Sequence, residues 1–508
     1  MTKRYYITTA IAYPNGRPHM GHAYEAIATD AIARFKRLDG HDVRFLTGTD
    51  EHGLKIAQAA RAAGVEPRDY VNGTSQPFID LDRQLGISFD RFIRTTDDDH
   101  KALCQELWRR IAAKGDMYLG RYEGWYSVRD EAYYDDAELV AAEDAQGQPV
   151  KLSPQGTPVE WTIEESWFFK LSAYAQPLLD LYAANPDFVA PVSRLNEMRA
   201  FVAGGLSDLS VSRTSFDWGV PVPDAPGHVM YVWLDALANY LTGAGGIDGE
   251  WWPADLHVIG KDVVRFHAVY WPAFLMSAGI ALPKKVFGHG FVLNRGEKMS
   301  KSVGNVVDPG DMADRFGVDR LRWFLLREVA FGEDGSYSDE AIIERTNADL
   351  ANGIGNLAQR ALSMVAKNLG GVLPAPGPYD GVEALSDSIT ALTEAYFAAM
   401  NGLQLHRGLE AVMGMVSATN GFFAEAAPWK LAKTDTDAMA RVLAVTLDAT
   451  RRIVLLVQPF MPDSATALLD QLGVAAEARC FGALDTVVAA GTQLPAPTGV
   501  FPRWSEAA

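Results

Sequence analysis

Near the start of the chain the apolar positions switch between two periods, and the switching predicts strand, helix, strand, helix in that order. Residues 5–12 read as a buried strand. Met20, Ala23, Ile27, Ala31 and Phe35 then recur at helical spacing through 20–38, stopped by Asp39-Gly40. A strand at 42–47 and a helix at 54–63 extend a pattern that predicts a parallel, doubly wound α/β sheet. From about 115 to 226 the pattern changes to short aromatic strands and turns, including Gly124-Trp125-Tyr126, Trp161-Thr162-Ile163 and Trp167-Phe168-Phe169. The alternation resumes with a helix at 230–241, a strand at 256–259, a helix at 263–278 and a strand at 285–288, so the economical reading is one sheet split by an insertion. Beyond Asp308, amphipathic stretches at 350–365, 385–399, 405–426 and 437–457 predict an all-α bundle. The division expected is 1–114 and 227–295 for the halves of the sheet domain, 115–226 for the insertion, 296–345 for a loop and connecting region, 346–470 for the helical domain and 471–508 for a tail packing back on the body.

Length and composition narrow the class. A chain of 508 residues exceeds what one hydrophobic core serves, which predicts two to four domains of a soluble, globular kind. The formal charge of -18 excludes a general nucleic-acid coat, because such binding rests on Lys and Arg neutralising phosphates; an RNA partner requires local basic patches. Two cysteines, Cys104 and Cys480, each in an apolar stretch, exclude a disulfide framework and a thiolate zinc knuckle and fit a reducing, cytoplasmic setting. The stretch after Lys3-Arg4 is of strand length and runs into Pro14-Asn15-Gly16, unlike a signal peptide. The longest apolar run, 268–282, is broken by Pro272 and is shorter than the roughly 20 residues of a membrane span.

Two short segments carry phosphate chemistry. His19-Met20-Gly21-His22 falls at a strand-to-helix turn, where unpaired N–H groups and the helix dipole make an anion site; Gly21 allows close approach, and the histidines are candidate donors to a phosphate. Lys298-Met299-Ser300-Lys301-Ser302, flanked by Gly296 and Gly304, offers two mobile cations and two hydroxyls on a loop able to close as a lid. Taken singly, each has a plainer explanation, capping histidines in one case and a solvated basic turn in the other.

With both present, the chain resembles the class I aminoacyl-tRNA synthetases, and among them the methionyl-tRNA synthetase family. The resemblance extends over residues 5–462. It is carried by the two signatures and by Ala10-Ile11-Ala12-Tyr13-Pro14-Asn15-Gly16, Thr49-Asp50-Glu51-His52-Gly53, Tyr231-Val232-Trp233-Leu234-Asp235-Ala236, Gly260-Lys261-Asp262, His267 with Trp271, and Pro428-Trp429-Lys430. It implies a Rossmann-type catalytic domain, an anticodon-binding bundle, and ligation of methionine to tRNA through a methionyl-adenylate, with ATP and Mg2+ as cofactors.

Spacing supports a methionine chamber independently: Trp233, Leu237 and Tyr240, with Ala236 beside them, share one helix face, and Val263, His267 and Trp271 share another. Such stripes are ordinarily core packing, but here both helices start where open α/β sheets hold ligands, and aromatic rings suit a polarizable thioether. Tyr13 completes the rim. By resemblance, Ala10 and Ile11 present backbone to the amino acid, Asp50 holds its ammonium, and Gly260 and Asp262 meet the ATP ribose. Also by resemblance, Asn356, Arg360 and Trp429 read the CAU anticodon, stacking an unpaired base as single-stranded RNA readers do. Trp429 alone more often reads as core, and Asp50 as a turn or helix-capping residue. Lys430, Lys433, Arg441, Arg451 and Arg452 are candidates for local basicity.

The departures are specific. Ser127-Val128-Arg129-Asp130 stands where relatives carry a Cys-x-x-Cys pair, and 152–155 lacks thiols as well, so no structural zinc is expected. Met20 replaces a more usual Ile. The chain stops shortly after the bundle, without the appended module of some relatives, which points to a monomer. Rivals are a synthetase for another apolar amino acid, whose large editing module the short insertion does not accommodate; a silent paralogue that binds tRNA; and a stand-alone nucleotidyltransferase, for which the helical domain has no purpose.

Overall fold

The structure, a computed structural model, describes residues 3–130, 132–144, 147–297 and 307–505. Lys298, Ser300, Lys301 and Ser302 lie outside the described residues.

Six strands form a wholly parallel sheet in the order Arg91–Arg94, Asp42–Thr49, Arg4–Thr9, Leu256–Gly260, Val286–His289, Val189–Ala190. The central strands are apolar on both faces because helices cover both. Ile7, Phe45 and Val258 enter one core, while their neighbours Tyr6, Leu46 and Ile259 enter the other. The chain runs outward from Arg4–Thr9 in its first half, then returns at Leu256–Gly260 and runs the other way. The switch point between these two adjacent strands leaves a crevice beyond their carboxyl ends.

The insertion is built on an antiparallel pair, Met117–Ser127 with Glu160–Phe169, flanked by Ala132–Tyr134 and Leu209–Ser210. It is not a unit apart: Val189–Ala190, inside the range read as insertion, supplies the edge of the main sheet. The stretch expected as one helix at 263–278 is broken into a 3-10 turn at Lys261–Val263, a π-helical turn at Phe266–Tyr270 and an α-helix Trp271–Ala278.

Helices Asn356–Asn368, Val382–Asn401, Leu405–Ala426 and Thr436–Val457 form the bundle. Its core is continuous with one face of the sheet, Phe35 meeting Phe397 and Phe481 with ring centroids 5.8 and 5.4 Å apart. At the junction a fully buried Arg322 binds Asp30 Oδ2 at 2.6 Å and donates to the carbonyls of Leu85, Pro459 and Phe460. Burial alone raises the Asp30 carboxyl, but Arg322, Arg34 and Ser88 hold it below its usual range. A buried pair satisfied on every side fixes geometry, and losing either partner strands a charge.

Candidate active site

The crevice is a cleft of about 520 Å³. Its wall takes Ala10, Asp50, Gly260 and His289 from four strand ends and Gly21 from the first helix, so five distant stretches of sequence meet there.

At one end the helix Met20–Leu38 opens on His19 and His22. His19 Nδ1 accepts from the Gly21 N–H and His22 Nδ1 from the His19 N–H, each at 3.1 Å, and the rings stack 3.9 Å apart. The plain reading of capping histidines is therefore also true, and capping decides their chemistry. With both Nδ1 atoms accepting, each neutral ring carries its proton on Nε2. Burial, with His19 and His289 close by, lowers the His22 pKa well below the usual value, so that ring is uncharged at neutral pH. A Cβ on Gly21 would lie 2.9 Å from His19 Cε1, so the stacked arrangement requires glycine.

One turn further, Glu25 Oε1 accepts from the Ala10 N–H at 3.0 Å, and Glu25 Oε2 lies 2.8 Å from His289 Nε2, whose Nδ1 donates to Gly290 O. Burial raises Glu25; burial lowers His289, but Glu25 and the Gly290 carbonyl outweigh it and raise the ring. Glu25 and His289 thus form one hydrogen-bonded pair on the cleft wall. Neither residue was anticipated from sequence, although Glu25 follows His22 by three positions on the same helix face. Arg17, Lys55, Arg129, Tyr134 and Gln155 also line the cleft.

The other end is the aromatic chamber. Ile11, Tyr13, Trp233, Ala236, Leu237, Tyr240, Val263 and His267 line it, and Ala10, Asp50, Gly260 and Asp262 line the same cleft. Trp233 stacks flat on Phe266, ring centroids 3.6 Å apart and planes 5° apart, a partner the sequence reading omitted. His267 Nδ1 donates to Val263 O at 2.9 Å, which leaves Nε2 to accept the Tyr240 hydroxyl at 2.6 Å. Burial brings His267 down to about 4 and raises Tyr240, so the chamber is uncharged. Trp271 corrects the expectation: it is fully buried behind Tyr240, 6.1 Å between centroids, and does not line the cleft. The π-helical turn at Phe266–Tyr270 carries a wider turn than the 3.6-residue period assumed, so Trp271 is rotated off the face of Val263 and His267.

Two readings of polar clusters also change. Cys104 is buried, as its apolar surroundings in sequence suggest, but its Sγ lies 3.3 Å from His100 Nε2 and 3.6 Å from Asp235 Oδ1. In the insertion, where thiolate pairs were looked for, Asp130 Oδ2 gathers hydroxyls from Ser153 (2.5 Å), Thr157 (2.6 Å) and Tyr134 (3.1 Å), and Ser127 joins through Thr157.

At the far end of the molecule Arg360 lies over the rings of Phe423 (4.9 Å) and Trp429 (5.3 Å), and Trp429 is 42% exposed, which rejects its core reading. Asn356 is exposed one turn before Arg360 on the same helix. Arg451 and Arg452 do not join this surface: Arg451 is buried against Asp448 and the carbonyls of Ala483 and Leu484, and Arg452 pairs with Asp448 and Asp485.

A parallel sheet opened at its switch point, a histidine-capped helix end facing an aromatic chamber, and a helical domain with an exposed cation and tryptophan define the class I aminoacyl-tRNA synthetase architecture. Comparison with known proteins resolves the branch. The model of class I tRNA synthetases (M) matches residues 5–362, and that of the anticodon binding domain of methionyl tRNA ligase matches residues 373–507. The methionine--tRNA ligase of Mycobacterium bovis is 58% identical, with 99% of this chain and 98% of the relative covered; that of Brucella suis is 56% identical, with 99% of each covered. The solved Mycobacterium tuberculosis methionyl-tRNA synthetase in complex with methionyl-adenylate superposes with a TM-score of 0.96 at 57% identity, covering 99% of this chain and all of that one. Its apo form gives 0.90 at 53% identity, covering 100% of this chain and 99% of that one. This chain belongs to the methionyl-tRNA synthetase family.

Proposed function

We propose that the chain joins L-methionine to its tRNA in two steps. The methionine carboxylate displaces pyrophosphate from the α-phosphate of ATP, and a ribose hydroxyl at the tRNA terminus then takes the methionyl group and releases AMP. The observation that carries this reading is one cleft lined both by the histidine-capped helix end and by an uncharged aromatic chamber. Positioning the two reactants and stabilising the charge that develops on the α-phosphate supply the rate, and no protein nucleophile is required.

In this reading His19 and His22 donate from Nε2 to the α-phosphate, while Gly21, Gly260 and Asp262 seat the nucleotide. Lys298, Ser300, Lys301 and Ser302 hold the leaving pyrophosphate. Asp50 takes the α-ammonium. Ala10, Ile11, Tyr13, Trp233, Ala236, Leu237, Tyr240, Val263 and His267 enclose the rest of methionine, its sulfur against ring edges. Trp271 supports Tyr240 from behind. The neutrality of His267 supports a chamber that rejects charged side chains. Magnesium accompanies the phosphates of ATP. Structural zinc is not part of this reading, since hydroxyls around Asp130 replace the thiolates such a site uses.

Asn356, Arg360 and Trp429 contact the anticodon of methionine tRNAs, initiator and elongator alike. The chain acts as a monomer in the cytoplasm, a reading supported by its two unpaired cysteines; among the described residues no helix is long and apolar enough to cross a membrane. Amino-acid-dependent exchange between pyrophosphate and ATP tests the activity, with methionine beside leucine, isoleucine, valine and cysteine and no zinc added. Exchange with methionine alone is expected; exchange with another amino acid rejects the chamber assignment, and none at all in a folded, tRNA-binding protein rejects activation.

A further inference from the structure

Asp50 stands on a short turn between strand Asp42–Thr49 and helix Leu54–Ala63, and buried carboxylates hold that turn from two sides. From the turn, Glu51 Oε1 accepts from Thr49 Oγ1 (2.8 Å), Ser75 Oγ (2.6 Å) and Arg94 Nε (2.6 Å), and its Oε2 from Thr96 Oγ1 (2.5 Å). Trp218 Nε1 donates to the Glu51 carbonyl at 2.6 Å, and the Gly53 N–H donates to Trp218 O.

From the opposite side Asp235 reaches toward the turn. It lies in the first turn of helix Val232–Gly243, where the dipole favours an anion, and is buried. His52 Nδ1 donates to its Oδ2 and His100 Nε2 to its Oδ1, both at 2.7 Å, and Thr242 Oγ1 lies 3.0 Å from His100 Nδ1. Trp233, Ala236, Leu237 and Tyr240 on the same helix wall the aromatic chamber. A side-chain bridge thus joins the element bearing the ammonium partner to the element bearing the thioether wall, and neither Asp235 nor His52 lines the cleft.

We propose that Asp235 and His52 are positioning residues for methionine, fixing the separation between Asp50 and the chamber wall without touching the amino acid. The proposal rests on the methionine-activating function of the cleft and on the assignment of Asp50 to the ammonium group. His100 and Cys104, the remaining members of the cluster, complete the packing around Asp235. Their donor atoms lie close enough for a metal ion, but both imidazoles already contact the carboxylate at hydrogen-bond distance, and the cluster reads as a bridge.

Two near-isosteric variants isolate the bridge. His52→Asn keeps an N–H donor where imidazole Nδ1 stands, whereas His52→Gln carries its amide one bond further, to the Nε2 position. In methionine-dependent pyrophosphate exchange, His52→Gln is expected to raise the KM for methionine about tenfold while His52→Asn stays within about twofold, and the KM for ATP is unchanged in both. Asp235→Asn, which removes the charge at constant shape, is expected to raise the methionine KM as His52→Gln does, and thermal melting establishes that each variant is folded. Equal effects of Asn and Gln, a matching rise in the ATP KM, or an unchanged methionine KM in Asp235→Asn overturns the bridge. Failure of the parent chain to exchange with methionine overturns the functional reading instead.

Discussion

Around the turn that bears Asp50 and on the first helix, buried carboxylates are each met by assigned partners: Glu51 by Arg94, Ser75 and Thr96, Glu25 by His289, Asp235 by two histidines. At the helical end, Arg360 and Trp429 meet over an exposed ring, and their elements are close in the bundle. The first arrangement holds reactants to a geometry that small displacements would spoil, and it couples stability to activity. The second leaves rings open to solvent, where in the proposed reading each side chain adds its own increment to RNA binding. A buried polar network fails abruptly when one member is lost; an exposed stacking surface weakens by degrees.

The comparison is sharpened most by Glu51→Ala, which leaves the Arg94 guanidinium and three hydroxyls without their acceptor. Removing one partner of a buried ion pair typically costs about 3–5 kcal/mol, so chemical denaturation is expected to show a loss of that size. Next in size is His22→Ala, which removes a donor without stranding a charge. Adenylate formation is expected to slow by about 10²–10³-fold, with a methionine KM that stays near that of the parent chain in stopped-flow and exchange assays.

Acid tests the aromatic chamber. His267, pushed down to about 4 by burial, stays neutral in the folded chain while the unfolded chain takes up its proton near pH 6.5. Its contribution is therefore present above pH 6.5 and is lost as pH falls toward 4, amounting to roughly 2 kcal/mol by pH 5. His22 and His257, also lowered by burial, act in the same direction, and His289, raised by Glu25, opposes them. Melting temperature is expected to fall between pH 7 and pH 5, and His267→Gln to flatten that slope. The smallest effect belongs to the exposed end. Trp429→Ala removes one stacking ring and is expected to raise the KM for tRNA about tenfold in aminoacylation.

The same contrast explains what the sequence disclosed. Periodicity located four of the six parallel strands and the bundle, because apolar spacing follows from which faces are covered, while the short edge strands Arg91–Arg94 and Val189–Ala190 carry too few residues to show a period. Local motifs located His19, Gly21 and His22, whose roles depend on one helix terminus. Pairs such as Glu25 with His289, or Asp235 with His52, are separated by 264 and 183 positions and leave no local pattern, so only the folded sheet reveals them. Trp271 was misplaced for a different reason: one π-helical turn changes the period on which the argument relied. For Arg451 and Arg452 the sequence left local basicity and plain helix charge both open, and the pairing with Asp448 at helical spacing decides for the second.

In the proposed reading methionine activation is completed in the cleft and owes nothing to Arg360 and Trp429. Methionine-dependent exchange of the Arg360→Ala/Trp429→Ala double variant, assayed without tRNA, tests it most directly. Exchange rate and methionine KM are expected to equal those of the parent chain while aminoacylation weakens. A parallel fall in exchange would contradict it and would make the two ends a single coupled site.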